Sequence, residues 1–212
     1  MIAIRNQGGY GMSSDEEEAP RRHSIGAKRN PDTAEAIRAA ALDILIEEGH
    51  AGFSIEKVAR RARAGKPTIY RWWPSKAALL LDVYHRQKRD VEYPVTDDLE
   101  SDLALFLTSL LRYWRDGPAG DIFRSIVAEA QSDPAAREAL QDYIAERGKQ
   151  VAGIISAPRN GPGLAPDFPP RIIAELVQSY AWMKLLIHSL DEPQENAGLA
   201  VRAILRGAMT VK

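Results

Sequence analysis

The stretch FSIEKVARRARAGKPTIYRWWPSKAALLLDVY, residues 53–84, has the pattern of three helices separated by two tight breaks. Serine favours the position just before a helix, where its hydroxyl accepts a hydrogen bond from a free backbone N–H. Ser54 and Ser75 are therefore expected to cap the first and third of these helices. Pro67 is tolerated only in a first helical turn and therefore places the start of the middle helix at residues 65–66. The first and middle helices form a pair joined by the short turn RAG.

Two adjacent tryptophans in this stretch must serve different purposes. Neighbouring residues of a helix point about 100° apart, so Trp72 and Trp73 cannot both face one core. Trp73 lies four residues after Ile69 and shares its face, which predicts that Trp73 packs against the preceding helix. The opposite side of the middle helix carries side chains with polar tips or hydrogen-bond donors, namely Lys66, Thr68, Tyr70, Arg71 and Trp72. This composition is typical of a surface that meets a partner.

A helix pair with a tight turn and a short, basic, outward-facing second helix is the helix-turn-helix arrangement, which lays its second helix in the DNA major groove. Lys66 and Thr68 lie at the end that enters the groove and are predicted to contact base edges, while the flanks fit phosphate and sugar contacts. Lys76 places a cation at the start of the next helix, against the helix dipole, which favours a bound phosphate. The predicted DNA-contacting residues are Ser54, Lys66, Pro67, Thr68, Tyr70, Arg71, Trp72 and Lys76. Each alone could be an ordinary exposed side chain, and their clustering favours DNA.

The charge of the chain is distributed unevenly. The formal net charge of the whole chain is -1. When Lys and Arg are counted as positive and Asp and Glu as negative, the net charge is -3 for residues 1–20, +7 for residues 21–90 and -5 for residues 91–212. A basic segment within a nearly neutral chain indicates a polyanionic partner, with a solvated charged surface as the alternative.

The chain divides into three predicted segments around the helix-turn-helix. Residues 1–30 lack periodic apolar side chains and are predicted to be a disordered arm. Residues 31–90 are predicted to form the DNA-binding domain, with a first helix capped by Asp32 or Thr33. Residues 91–212 contain several long helical patterns and no strand pattern of useful length. The predicted fold is therefore all-α, with a second, helical domain after the helix-turn-helix.

Two final helices are predicted at about residues 171–190 and 194–209. They carry more apolar side chains than one chain of this size is expected to cover, and the first of them is apolar on nearly every side. A partner subunit is a good candidate to bury that surface. The preceding run PRNGPGLAPDFPP, residues 158–170, is predicted to be a loop because of its prolines and glycines.

Composition disfavours several other classes of function. The chain has no cysteine, which excludes disulfides and thiolate metal sites, and its four histidines lack the spacing of a metal site. No glycine-rich phosphate loop or nucleophile elbow is present, so neither a cofactor nor catalysis is predicted. No apolar run approaches the roughly 18 residues of a membrane span and no secretory leader is evident, so a cytoplasmic protein is expected. A DNA-packaging protein is a further alternative, which the acidic, apolar-rich region 91–212 argues against.

Residues 53–84 resemble the helix-turn-helix and following helix of the TetR family of bacterial transcriptional regulators, and the likeness extends back to about Pro31. The residues that carry it are Ile55, Val58, Ala59, Ala62, Thr68, Ile69, Tyr70, Trp73, Ser75, Lys76 and Leu79. One departure is the turn, where residues 63–65 are Arg-Ala-Gly instead of the usual Gly-Val-Ser. An arginine in the left-handed conformation costs about 1 kcal/mol, and the usual serine cap of the recognition helix is lost.

The resemblance implies a homodimer whose last two helices pack against their copies as a four-helix bundle. Its two recognition helices would meet half-sites about 34–36 Å apart on a palindromic operator. It also implies a repressor that a small-molecule effector releases from that operator. Aromatic side chains of the second domain could line a pocket for an apolar or aromatic effector, although such residues are more often plain core. The candidates are Trp114, Phe123, Tyr143 and Trp182, and Tyr180 and Met183 are two further ones.

Overall fold

The computed structural model describes residues 30–87, 91–160, 164–165, 168–191 and 193–208. Within these ranges the chain forms nine α-helices, which confirms the predicted all-α fold. They are α1 (Pro31–Gly52), α2 (Ile55–Arg61), α3 (Lys66–Trp72), α4 (Lys76–Gln87), α5 (Leu99–Arg115), α6 (Ala119–Ser132), α7 (Pro134–Ser156), α8 (Pro170–Leu186) and α9 (Pro193–Ala208). The predicted disordered arm, residues 1–30, lies outside the described residues except for its last one.

The first three helices form the headpiece, in which α1 packs against α2 and α2 against α3. Asn30 caps α1 in place of the predicted Asp32 or Thr33, because its side-chain oxygen accepts hydrogen bonds from both of their N–H groups. The regular turns of α1 end at Gly49, whose φ of 65° lies in the left-handed region that glycine adopts without strain. The apolar stripe of α1 is buried and consists of Ile37, Ala41, Ile44 and Leu45.

Residues 62–65 form the tight turn between α2 and α3. Ser54 accepts a hydrogen bond from the Lys57 N–H (3.3 Å) and caps α2. Arg63 has a φ of 51°, so an arginine occupies the left-handed conformation that glycine usually supplies. Gly65 precedes α3 without a side-chain cap, and Pro67 lies in the first turn. The recognition helix therefore begins where the proline predicts.

Trp73 is a core residue of the headpiece, as its spacing from Ile69 predicts. α3 ends at Trp72, and Trp73 follows in an extended conformation with 3% of its surface exposed. The Trp73 Nε1–H donates to the Asp82 carboxylate (2.8 Å), which ties the end of α3 to α4. Trp72 is half-buried rather than fully outward-facing, because its ring packs edge-on against Trp73 with 5.9 Å between centroids.

α4 connects the headpiece to the C-terminal domain, which consists of α5 to α9. Ser75 caps α4 as predicted by accepting a hydrogen bond from the Ala78 N–H (3.1 Å). The helix packs against α1 on the headpiece side and against α6 and α7 on the other. Its buried side chains are Ala77, Leu79, Leu80, Leu81, Val83 and Tyr84. A shift of α4 therefore disturbs the packing of both domains.

The last two helices differ from their predicted bounds. α8 ends at Leu186, four residues early, because the chain turns at His188, whose φ is 56°. His188 is thus an exposed residue beyond the helix and not part of an apolar helix as predicted. The described residues between 158 and 169 are not helical, in agreement with the predicted loop. Large apolar side chains on α8, just after it and on α9 remain exposed, namely Leu176, Met183, Leu186, Ile187 and Leu199.

Candidate DNA interface and aromatic cavity

α3 presents most of its predicted DNA-contacting side chains on the outside of the headpiece. The exposed ones are Lys66, Pro67, Tyr70 and Arg71. Tyr70 keeps 48% of its surface accessible although it is a large aromatic residue, and Thr68 is half-buried. The Arg71 guanidinium lies over the Trp72 ring, 5.6 Å from its centroid, so the two side chains form one flank. We refer to residues 66–68 and 70–72 as the recognition face.

Lys66 is paired within the headpiece. Its Nζ lies 2.9 Å from Glu56 Oε1 on α2, and both side chains are exposed. The hydrogen bond with Glu56 raises the pKa of Lys66, so the lysine remains a cation at neutral pH. Exposed ion pairs contribute little to stability, because water and salt screen them. Lys66 is therefore available for exchange onto another acceptor.

Two further predicted contacts are already engaged inside the chain. The Ser54 hydroxyl caps α2 and is half-buried. The Lys76 Nζ lies 2.8 Å from Glu129 Oε2 on α6, with 22% and 19% of the two side chains exposed. Nearby His50 has a pKa below its usual value, chiefly because of burial and secondarily because of the Lys76 charge. In this conformation Lys76 joins α4 to α6, and the Glu129 carboxylate competes with any phosphate for its ammonium group.

The four predicted effector-pocket residues come together in the C-terminal domain. The Phe123 ring lies at the centre, with ring-centroid distances of 5.5 Å to Trp114, 5.6 Å to Tyr143 and 5.2 Å to Trp182. They line a cavity of about 20 Å³, which we call the aromatic cavity. Its other lining residues are Tyr93, Phe106, Leu110, Arg147 and Gln178. Tyr180 and Met183 do not line it, and Met183 is exposed on α8.

Tyr84 on α4 completes the aromatic cluster and was not among the predicted site residues. It is fully buried, and its ring centroid lies 5.1 Å from that of Phe123 and 5.7 Å from that of Tyr143. Its hydroxyl accepts a hydrogen bond from Trp114 Nε1 (2.9 Å). Burial raises the pKa of Tyr84, and it raises that of Tyr143 to about 12. The spacing of α4 places Tyr84 inward, but sequence gives no sign of which helices it meets.

An open groove lies beside the aromatic cavity on α7 and α8. It has a volume of about 550 Å³, and its lining includes the exposed Met183, Leu186 and Ile187. Trp182 and Gln178 line both the groove and the aromatic cavity. These two half-buried side chains therefore separate the aromatic cavity from the groove.

The described residues contain no group of three or more His, Cys, Asp and Glu side chains that could hold a metal ion. None of the helices in the described ranges is long and apolar enough to cross a membrane. Asp98 caps α5 by accepting hydrogen bonds from Glu100 N–H and Ser101 N–H. This acidic side chain therefore serves as the N-cap of α5.

Two family models match the chain. Residues 37–83 match the model described as "Bacterial regulatory proteins, tetR family". Residues 93–204, more than half of the chain, match the model described as "Tetracyclin repressor-like, C-terminal domain". The chain belongs to the TetR family. It is a DNA-binding transcriptional regulator and not an enzyme, which confirms the resemblance noted in the sequence.

Individual TetR-family proteins show the same likeness. The uncharacterized HTH-type regulator YdeS of Bacillus subtilis (strain 168) is 27% identical over 164 residues, which are 76% of this chain and 82% of YdeS. The DNA-binding transcriptional repressor TetR of Mycobacteroides abscessus is 31% identical over 116 residues, 53% of this chain and 60% of that protein. The crystal structure of the TetR family transcription regulator SCO0332 superposes on this chain with a TM-score of 0.63 and a sequence identity of 26%. The match covers 84% of this chain and 98% of the SCO0332 chain.

Proposed function

We propose that the protein is a homodimeric repressor that leaves a palindromic operator when a small-molecule effector enters the aromatic cavity. The observation that carries this proposal is the placement of α4, which holds Lys76 near the recognition helix and Tyr84 in the aromatic cluster. Residues 31–90 are the proposed DNA-binding domain, and residues 91–212 the proposed effector-binding and dimerisation domain. A repressor role is also supported by the likeness to the Mycobacteroides abscessus repressor. A protein that binds operator DNA is expected in the cytoplasm.

The recognition face supports two kinds of DNA contact. Lys66 and Thr68 lie in the first turn of α3, the end that enters the major groove in this motif, and are the proposed base contacts. Tyr70, Arg71 and Trp72 lie towards the other end and are the proposed phosphate and sugar contacts. Pro67 and Ser54 are proposed to hold the helix start against the groove. Lys76 is the proposed phosphate contact after it leaves Glu129.

The exposed apolar side chains of α8 and α9 support dimerisation through these helices. On α8, Leu176 and Met183 are seven residues apart and therefore lie on one face, and both are more than 40% exposed. Leu199 on α9 is 57% exposed. Large exposed apolar patches mark contacts with other proteins, and a second copy in two-fold symmetry offers a self-complementary surface. The proposed interface comprises residues of about 171–190 and 194–209.

The proposed release works by differential affinity. An effector that enlarges the aromatic cavity displaces Phe123 or Tyr143, and both rings contact Tyr84. A displaced Tyr84 moves α4, which changes the separation of the two recognition helices. By linkage, the factor by which the effector weakens operator binding equals the factor by which operator weakens effector binding.

Selection of binding sequences from a random DNA pool by the purified protein, at two salt concentrations, tests the function. We expect enrichment of a near-palindrome with half-sites about one helical turn apart, because each subunit presents one recognition helix. A folded protein that enriches no sequence and binds DNA only through a salt-dependent, sequence-independent interaction would instead be a non-specific DNA binder.

The same selection tests the residue roles. Lys66→Ala is expected to weaken binding and to relax the base preference at one position of each half-site. Tyr70→Ala is expected to weaken binding to all sequences alike. Lys149→Ala, an exposed lysine of α7, is the charge-matched control and should leave the selected sequence and affinity unchanged. If neither headpiece variant differs from this control, the assigned recognition face is wrong.

A further inference from the structure

The aromatic cavity has one charged residue in its lining. Among the nine described residues that line it, Arg147 is charged, and the others are aromatic, aliphatic or, in Gln178, an uncharged amide. No acidic side chain belongs to this described lining. A cationic ligand would therefore meet a like charge without a counter-charge, whereas an anion would meet an opposite one.

Arg147 makes fewer hydrogen bonds than its guanidinium group allows. Its Nε is buried and has no hydrogen-bond partner among the described residues. Its Nη1 donates to the uncharged Gln150 side-chain oxygen (2.8 Å), and Arg147 forms no ion pair within the described ranges. The guanidinium carbon lies 5.4 Å from the Tyr143 ring centroid, which holds the cation against the aromatic cluster. Buried charged donors without acceptors are costly, so this N–H marks a place where an acceptor belongs.

Tyr143 supplies a second donor beside Arg147. It lines the same cavity and lies four residues before Arg147 on α7. Its phenol hydroxyl can donate a hydrogen bond to a ligand in the cavity. A guanidinium N–H and a phenol O–H on one wall are a donor pair that suits a carboxylate.

We propose that the effector is an aromatic carboxylate, whose ring packs among Trp114, Phe123 and Trp182 and whose carboxylate is bound by Arg147 with help from Tyr143. This inference rests on the proposed function, because it names the ligand class of the same cavity. A cavity of about 20 Å³ holds no more than about one water molecule, so the ligand must displace a wall. The side chain that moves is Phe123 or Tyr143, as in the proposed release, and the half-buried Trp182 and Gln178 remain as the α8 side of the site.

Isothermal titration calorimetry of the full chain with three probes of the same aromatic body tests the proposal. The probes are 2-naphthylacetate, 2-naphthylacetamide and 2-(2-naphthyl)ethylammonium, which carry a negative, a neutral and a positive end. We expect the carboxylate to bind at least about tenfold more tightly than the amide, because a charge-assisted hydrogen bond replaces a neutral one. Equal binding of acid and amide, tighter binding of the ammonium, or no binding of the acid to folded protein would overturn the proposal.

Matched variants test whether the Arg147 charge causes the preference for the carboxylate. Arg147→Met keeps an unbranched apolar stem and is expected to reduce the preference for acid over amide to about twofold or less. Lys149→Met removes an exposed cation two residues along α7 and should retain the full preference. Arg147→Lys keeps the charge without the planar fork and should retain part of it, which covers the case that Arg147→Met fails to fold. A full preference in folded Arg147→Met would contradict the assignment.

Failure of this inference is distinguishable from failure of the proposed function. Calorimetry requires no DNA, whereas operator release is measured separately by fluorescence anisotropy of labelled operator. If the acid binds through Arg147 and operator binding is unaffected, the ligand class stands and the repressor mechanism fails. If a selected operator is bound and the acid does not bind, the ligand class fails and the regulator remains.

Discussion

The recognition face and the aromatic cavity are both built from aromatic and cationic side chains, but the chain assembles them by different routes. The recognition face comes from one helix of seven residues, α3, and most of its side chains point into solvent. The aromatic cavity takes its lining from four helices, α5 to α8, and from Tyr93 before them, and most of these side chains also belong to the core. Substitutions in the first region should therefore change binding alone, whereas those in the second should change stability as well.

The largest effect is expected directly beneath the recognition face. Trp73→Ala removes a buried indole and is expected to lower the free energy of unfolding of the headpiece by about 3–5 kcal/mol. Trp72→Ala, at the half-buried neighbour, should cost less than half as much. Urea denaturation followed by circular dichroism measures both variants, and equal losses would contradict the separation of core from recognition face.

The next effect tests the link between the cavity and α4. Tyr84→Phe deprives the buried Trp114 indole N–H of its acceptor, which is expected to cost about 1–3 kcal/mol of stability. Tyr70→Phe removes an exposed hydroxyl on the recognition face and should stay within about 0.5 kcal/mol of the native protein. Thermal unfolding distinguishes the two, and matching stabilities would mean that the Tyr84 hydroxyl does not hold the cluster together.

The turn before the recognition helix offers a gain in stability. Arg63→Gly is expected to raise the free energy of unfolding by about 1 kcal/mol, because glycine has no Cβ to strain the left-handed conformation. Arg63→Ala retains the Cβ and should give no gain. Chemical denaturation of both variants checks this, and a stabilised alanine variant would point to the arginine side chain instead of the backbone.

The smallest effect on stability concerns the contact between the two domains. Glu129→Gln removes the negative charge that faces Lys76 and leaves a neutral acceptor, which is expected to cost about 1 kcal/mol. Operator affinity should increase, because the neutral amide competes less with phosphate for the lysine. Glu138→Gln, an exposed residue of α7, is the control. Weaker operator binding by Glu129→Gln than by this control would mean that the ion pair supports the DNA-binding conformation.

Local features of the headpiece were predictable because they depend on near neighbours in the sequence. The four-residue spacing of Ile69 and Trp73 identified the core tryptophan, and Ser54 and Ser75 marked helix starts. Comparison with the family pattern marked the turn at Arg63 as unusual, and the structure shows that its backbone keeps the left-handed conformation.

Features that depend on packing between distant segments were not predictable. Lys76 and Glu129 are 53 positions apart, and helical periodicity cannot show that they meet. Tyr84 is likewise assigned inward by its spacing, but its partners belong to three other helices. The early end of α8 depends on the backbone of His188, a residue type with no strong preference for stopping a helix.

The measurement that most directly tests the link from cavity to recognition helices is the operator affinity of Phe123→Trp. A larger ring overfills the aromatic cavity and imitates a bound effector without any ligand. Val151→Leu is the control, because it overfills the core elsewhere, at a cost in stability similar to that of Phe123→Trp. Val151 lies on α7, eight residues after Tyr143, and does not belong to the described cavity lining. Fluorescence anisotropy with the selected operator should show binding about tenfold weaker for Phe123→Trp than for Val151→Leu. Equal affinities in two folded dimers would contradict the proposed coupling through α4.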